Sequence, residues 1–213
     1  MRHLIDKLQL MGIKRRAIYS FLCFMVESKP LGESTYEMLR TLNLALSDSS
    51  YLSKAYFSLT TSIEPTLVAI IKHDGKVKEF NDFYLSKQSS PVTDSLRDEI
   101  NSASKAKKIY KPKGASLFRY YLEFVELKGI KDESFRKHVY NARNDALHAG
   151  AIVRYSKGIG GYIVDVLKML VMFFNLKREE TFIDRVWSWS VVAIAQISYE
   201  INSILDTIYR AAA

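Results

Sequence analysis

One cysteine, four prolines and nine glycines are all that 213 residues hold of the types that staple, break or bend a chain. The lone Cys23 excludes an internal disulfide, and its place in the apolar run from Ile18 to Val26 marks a core thiol rather than a nucleophile. With only four histidines and no short-spaced cluster of ligand types, no metal site is expected, and no cofactor either. A chain without disulfides fits a reducing compartment, so a cytoplasmic location is expected. The scarcity of turn residues argues against a many-stranded sandwich. There is no low-complexity tract and no repeat of fixed period. Long apolar runs are missing as well. Lys14, Arg15 and Arg16 ahead of Ala17–Val26 imitate a signal sequence, but the apolar part is too short to span a bilayer and Glu27–Pro30 offers no small-residue cleavage site. The C-terminal apolar stretch is interrupted by Gln196, Glu200 and Asn202, so no membrane association is expected. The glycines between Gly158 and Gly161 lack the spacing of a dinucleotide-binding turn and read as part of a loop, 156–161.

What remains is helix and positive charge. Hydrophobic residues make up 48% of the chain, enough to bury a core for one domain. Lys and Arg outnumber Asp and Glu by 31 to 23, a net charge of +8, which favours polyanionic partners. Apolar periodicity predicts helices over most of the length. The first covers 3–27, as one helix or a pair broken at Gly12. Ser34 and Glu37 have capping-box spacing and open a helix reaching Leu46. Another starts near Tyr51 and is kinked or restarted at Pro65. A short one carries Phe80, Phe83 and Tyr84. Thr93 caps a polar helix to about Lys107, and further helices cover 116–128, 132–150, 162–176 and 181–210. The expected fold is all-α, a multi-helix bundle of roughly five to eight helices in a single domain over 1–213. Within it, 1–92 are N-terminal helices of uncertain relation, 93–210 form the core carrying the motif described next, and Ala211–Ala213 read as a cloning tail.

The stretch from Asp132 to Gly150 stands apart. Asp132 or Ser134 is a suitable N-cap and Gly150 a suitable left-handed stop, while Phe135, Val139, Ala142 and Ala146 supply a core-facing stripe. Packing does not need the arginine, amide and imidazole of Arg143, Asn144 and His148 in the last two turns. Together they offer a phosphate clamp, a hydrogen-bond donor and a group able to exchange a proton near neutrality. Asn144 and His148 share a helical face, whereas Arg143 and His148 lie about 140° apart, a gap a long side chain at a helix end can bridge. The negative end of the helix dipole favours a protonated His148 and disfavours a phosphate, a repulsion Arg143 would have to offset. The alternative is structural: Arg143 pairs with an acid of a neighbouring helix and His148 caps its own. Lys105, Lys107, Lys108, Lys111 and Lys113 form a basic run with Tyr110 interleaved, and they are candidate RNA contacts together with Arg136 and Lys137.

Arg143-Asn144-x-x-x-His148, near the C-terminal end of a helix in an all-helical chain, resembles the motif of HEPN domains (higher eukaryotes and prokaryotes nucleotide-binding). The resemblance covers about 116–210. It implies a metal-independent endoribonuclease in which two protomers bring their motifs together at a composite site. His148 would serve as general acid or base, Arg143 would hold the scissile phosphate, and Asn144 would orient the imidazole or donate to the phosphate. Products would carry 2′,3′-cyclic phosphate and 5′-hydroxyl ends. The resemblance also implies a homodimer, a role as a toxin or antiphage effector, and an antitoxin or sensor partner. A HEPN domain that binds RNA or nucleotide without cleaving it, or that only mediates dimerisation, is the alternative.

Overall fold

The computed structural model describes residues 1–88, 92–112 and 116–176, together with Ser190, 192–194 and Ile197. Among these the fold is all-α, a multi-helix arrangement with no strand. Nine α-helices and one short 3-10 helix are present among the described residues. The expected helix over 181–210 lies almost wholly outside the described residues, as does Lys113.

Two compact units divide the chain. The first comprises Met1–Ala55 and the described residues from Asn175 onward, and the second runs from Tyr56 to Phe174. The division between them falls inside a helix, after Ala55.

In the first unit, α1 (Arg2–Leu10), α2 (Arg15–Ser28) and α3 (Ser34–Ala45) pack on one another. Their apolar stripes are buried: Leu4, Ile5 and Leu8 on α1, Ile18 and the run from Phe21 to Val26 with Cys23 on α2, and Met38, Leu39 and Leu42 on α3. The break between α1 and α2 sits at Gly12 as the sequence indicated. The capping box at Ser34 does not form. The hydroxyl that acts there belongs to Thr35, which accepts from the Leu31 N–H at 3.1 Å, and Glu37 pairs with Lys54 and Arg40 instead of reaching back. A 3-10 turn at Ser49–Tyr51, with Asp48 accepting from the Ser50 N–H, leads into α4 (Leu52–His73). This helix runs through Pro65 without a break, because the buried stripe of Leu59, Ile63, Leu67 and Ile70 on either side outweighs one missing backbone hydrogen bond.

The second unit holds the rest of α4 with α5 (Val77–Ser86), α6 (Asp94–Lys105), α7 (Phe118–Leu127), α8 (Glu133–His148) and α9 (Gly158–Phe174). Its core is aromatic. Phe80 stacks on Tyr121 with centroids 4.8 Å apart and meets Phe124 edge-on at 5.5 Å, and Phe124 in turn meets Phe173 at 6.2 Å, so α5, α7 and α9 converge on one cluster. Phe124 is fully buried at this point of convergence. Phe124→Ala is expected to cost roughly 3–5 kcal/mol, read as a lowered urea midpoint at unchanged slope; a loss below about 1 kcal/mol would place the core elsewhere.

α9 begins at Gly158, so the expectation of a loop through Gly161 is corrected. The apolar sequence from Tyr162 to Phe174, buried at eleven positions, carries the helix back through the glycines despite their low propensity. Gly161 is needed there. A Cβ at that position would lie 2.4 Å from the Cβ of Lys157, whose side chain crosses the first turn.

Candidate functional site

α8 forms much as its sequence dictates. Asp132 caps it by accepting the Phe135 N–H at 2.8 Å, and Phe135, Val139 and Ala142 turn inward. The short link after Gly129 folds α8 back on α7 as an antiparallel hairpin. Arg136, early in α8, meets Glu126 near the end of α7, while Arg143, late in α8, lies over Phe118 at the start of α7. The helix ends at His148, with the Asp145 carbonyl accepting from both Ala149 (2.9 Å) and Ala151 (3.2 Å). Gly150 supplies the left-handed turn, φ +60°, that lets the chain leave.

At the motif, the guanidinium of Arg143 is held on two sides. Nη2 donates to Oε2 of Glu64 on α4, and Cζ sits 4.9 Å from the centroid of the buried Phe118 ring. The pair is largely covered, with Arg143 19% and Glu64 25% exposed in the side chain. Nε of Arg143 is buried without a hydrogen-bond partner among the described residues. The expected alternative of a neighbouring acid is therefore realised for Arg143, and the acid is Glu64. Asn144 is half-buried. Asp145 and His148 are exposed, as are Leu147 (47%), next to His148 in the chain, and Ile152 (37%), four residues after it. The regular helix from 143 to 148 keeps Arg143 and His148 about 140° apart and about 7.5 Å apart along the axis. One chain thus presents a fixed guanidinium and an exposed imidazole on different faces of one helix end.

The irregular segment that follows is anchored rather than loose. The Val153 N–H donates to the Tyr56 hydroxyl at 3.1 Å. Tyr155 donates to Oδ2 of Asp165 at 2.7 Å, and Lys157 joins the same oxygen at 2.8 Å while Lys131 approaches Oδ1 at 3.7 Å. Burial pushes the buried Asp165 carboxyl upward, but the hydrogen bonds from Lys157 and Tyr155 and the charge of Lys131 outweigh it and hold the group below its ordinary value.

His138 is enclosed in the same region. Its ring lies 4.7 Å from that of Tyr155 and 5.5 Å from that of Tyr162, and its Nε2 is buried without a partner among the described residues. Burial lowers its pKa. In the unfolded chain an imidazole titrates near about 6.5. Between that value and the lower folded one the unfolded state binds the extra proton, so this contribution to stability is complete above the unfolded pKa and is lost as pH falls through the window. The melting temperature is expected to decline from pH 7 to pH 5, with a shallower decline in His138→Phe; equal slopes in both proteins would remove His138 from the account.

The basic residues fall into two groups. Arg136 is ringed by Glu126, Glu123 (3.6 Å) and Glu133 (3.6 Å), lining an open groove of about 770 Å³, and Lys137 pairs with Glu133 at 2.8 Å. Both are engaged with carboxylates. Lys105, Lys107, Lys108 and Lys111 are exposed and none joins an ion pair among the described residues. Their segment has a defined path. The buried Asn81 donates to Ser104 Oγ (2.9 Å) and the Lys108 carbonyl (3.0 Å) and accepts from the Tyr110 N–H (3.0 Å), and Lys107 takes a left-handed turn at φ +53°. Tyr110 is less available than its sequence position suggests, packing 5.8 Å from Tyr84 and donating its hydroxyl to Glu99 at 3.2 Å.

No helix among the described residues is long and apolar enough to cross a membrane, and no group of three or more ligand-type side chains gathers there to hold a metal ion. Comparison with family models, with curated proteins and with solved structures finds no match.

Proposed function

We propose that the chain is a metal-independent endoribonuclease of HEPN type. It cleaves RNA by attack of a 2′-hydroxyl on the adjacent phosphate, at a site completed by a second copy of the chain. The observation that carries this reading is the presence, on two faces of one helix end, of a guanidinium fixed by Glu64 and Phe118 and of an exposed imidazole at His148. Arg143 stabilises the charge that develops on the phosphate. His148 takes the 2′-hydroxyl proton or protonates the departing 5′-oxygen. Asn144, one residue from Arg143 and one turn from His148, orients the imidazole or donates to the phosphate. The angle between Arg143 and His148 makes one chain half a site, and Leu147 and Ile152 give the second copy an apolar footing beside the motif. The exposed lysines Lys105, Lys107, Lys108 and Lys111 supply a phosphate track. A toxin or antiphage effector under the control of an antitoxin or sensor protein is the setting this activity fits.

The Arg143–Glu64 pair also supports a second reading, a non-catalytic domain that binds RNA or nucleotide or serves dimerisation, because a neutralised guanidinium can be purely structural. End-group chemistry separates the two. RNA incubated with the protein in EDTA is expected to yield 2′,3′-cyclic phosphate and 5′-hydroxyl ends. Ends bearing 3′-hydroxyl and 5′-phosphate would overturn the nuclease mechanism, and salt-sensitive binding without cleavage would select the second reading.

A further inference from the structure

We infer that Glu64 is a positioning residue for the phosphate-binding guanidinium of Arg143, an assignment that rests on the function proposed above. Glu64 is the sole acidic residue in the 22-residue helix α4. It stands beside Pro65 and one residue from the fully buried Ile63, and its carboxylate takes Nη2 of Arg143. Phe118 covers one face of the guanidinium, and Nε is buried. Three constraints from α4, α7 and α8 thus fix the plane and rotation of the fork. Neither Nε nor Nη1 carries a hydrogen bond among the described residues; Nε is buried, so Nη1 is the donor left for an incoming phosphate oxygen. A guanidinium fixed before substrate arrives loses less side-chain freedom on binding and needs no reorganisation as charge builds on the phosphate.

The sign of the effect separates positioning from the two simpler roles. A carboxylate that merely sat near a polyanion site would repel RNA, so neutralising it would strengthen binding. A carboxylate of structural value only would change the melting temperature and leave the kinetics of the folded protein alone. Positioning predicts a loss in turnover that a shortened carboxylate partly restores.

The test uses the full chain with a labelled single-stranded oligoribonucleotide, and with its uncleavable 2′-O-methyl counterpart for binding, well below the melting temperature of each variant. Glu64→Gln is expected to lower kcat about tenfold or more with KM raised by no more than about threefold, and Glu64→Asp to recover part of that loss. Turnover by Glu64→Gln equal to or above that of the unaltered chain would overturn the inference and leave the ribonuclease reading intact. If Glu64→Gln does not fold, Glu64→Asp decides by the same criterion, with a smaller drop in kcat expected and none overturning the inference. If the unaltered chain cleaves no RNA, the ribonuclease reading fails and the 2′-O-methyl probe decides. Weaker binding by both Glu64→Gln and Arg143→Ala supports positioning, and unchanged or tighter binding by Glu64→Gln contradicts it.

Discussion

Arg143→Ala is expected to reduce RNA cleavage by about 10²–10³-fold, the loss typical of removing one preorganised donor from a developing oxyanion. The same substitution destabilises the fold. It leaves the Glu64 carboxylate without its partner and strips a packed guanidinium from the buried face of Phe118. Losing one partner of a fully buried pair costs about 3–5 kcal/mol. Here both side chains keep about a fifth to a quarter of their exposure, so about 1–3 kcal/mol is expected. Arg143→Lys keeps the charge but not the planar fork, and should fall between the unaltered chain and the alanine variant in both readouts. Urea titrations give the stability change, and initial cleavage rates at temperatures where all variants are folded give the catalytic one. An alanine variant that loses stability yet cleaves at full rate would make Arg143 a structural residue only.

Much of this arrangement could be read from the chain, and the places where it could not share a cause. Helix positions followed from apolar periodicity and from caps such as Thr93 and Asp132, which are local signals. Local signals also misled: Gly158–Gly161 and Pro65 argue against helix one residue at a time, yet both lie within helices whose buried stripes dominate. The capping box at Ser34 failed because Glu37 found Lys54 and Arg40 nearby, a choice between partners that spacing alone cannot settle. Arg143, Asn144 and His148 stand out in the sequence because an amphipathic helix does not need polar groups in its last turns for its apolar stripe, although Arg143 turns out to pack on Phe118. Their partners did not stand out. Glu64 lies 79 residues from Arg143, and pairing over that separation is decided by the fold. A sign of it was present, since Glu64 and Asp165 are each the sole acid of a long apolar helix, a position where a carboxylate needs a partner. Arg136 shows the converse. Its sequence neighbours suggested a basic face, but α7 contributes Glu123 and Glu126 and turns that face into an ion-pair cluster.

His148→Ala carries the largest expected effect, and it separates chemistry from folding more cleanly than any change at Arg143. The imidazole is exposed at the last residue of α8, so its removal should leave stability within about 0.5 kcal/mol of the unaltered chain. Loss of a general acid or base should cost about 10²–10⁴-fold in rate, and in a two-copy site each active centre loses both imidazoles at once. On the function proposed above, RNA affinity rests on Arg143 and the lysine segment and should persist with its salt dependence. The decisive measurement is the cleavage rate of a labelled oligoribonucleotide in excess EDTA, for the unaltered chain and for His148→Ala at matched folded concentration. Undiminished cleavage is expected of the first and a drop of at least about 10²-fold of the second. Cleavage that disappears with the chelator would overturn the metal-independent mechanism, and cleavage that continues at full rate without His148 would overturn the role of its imidazole.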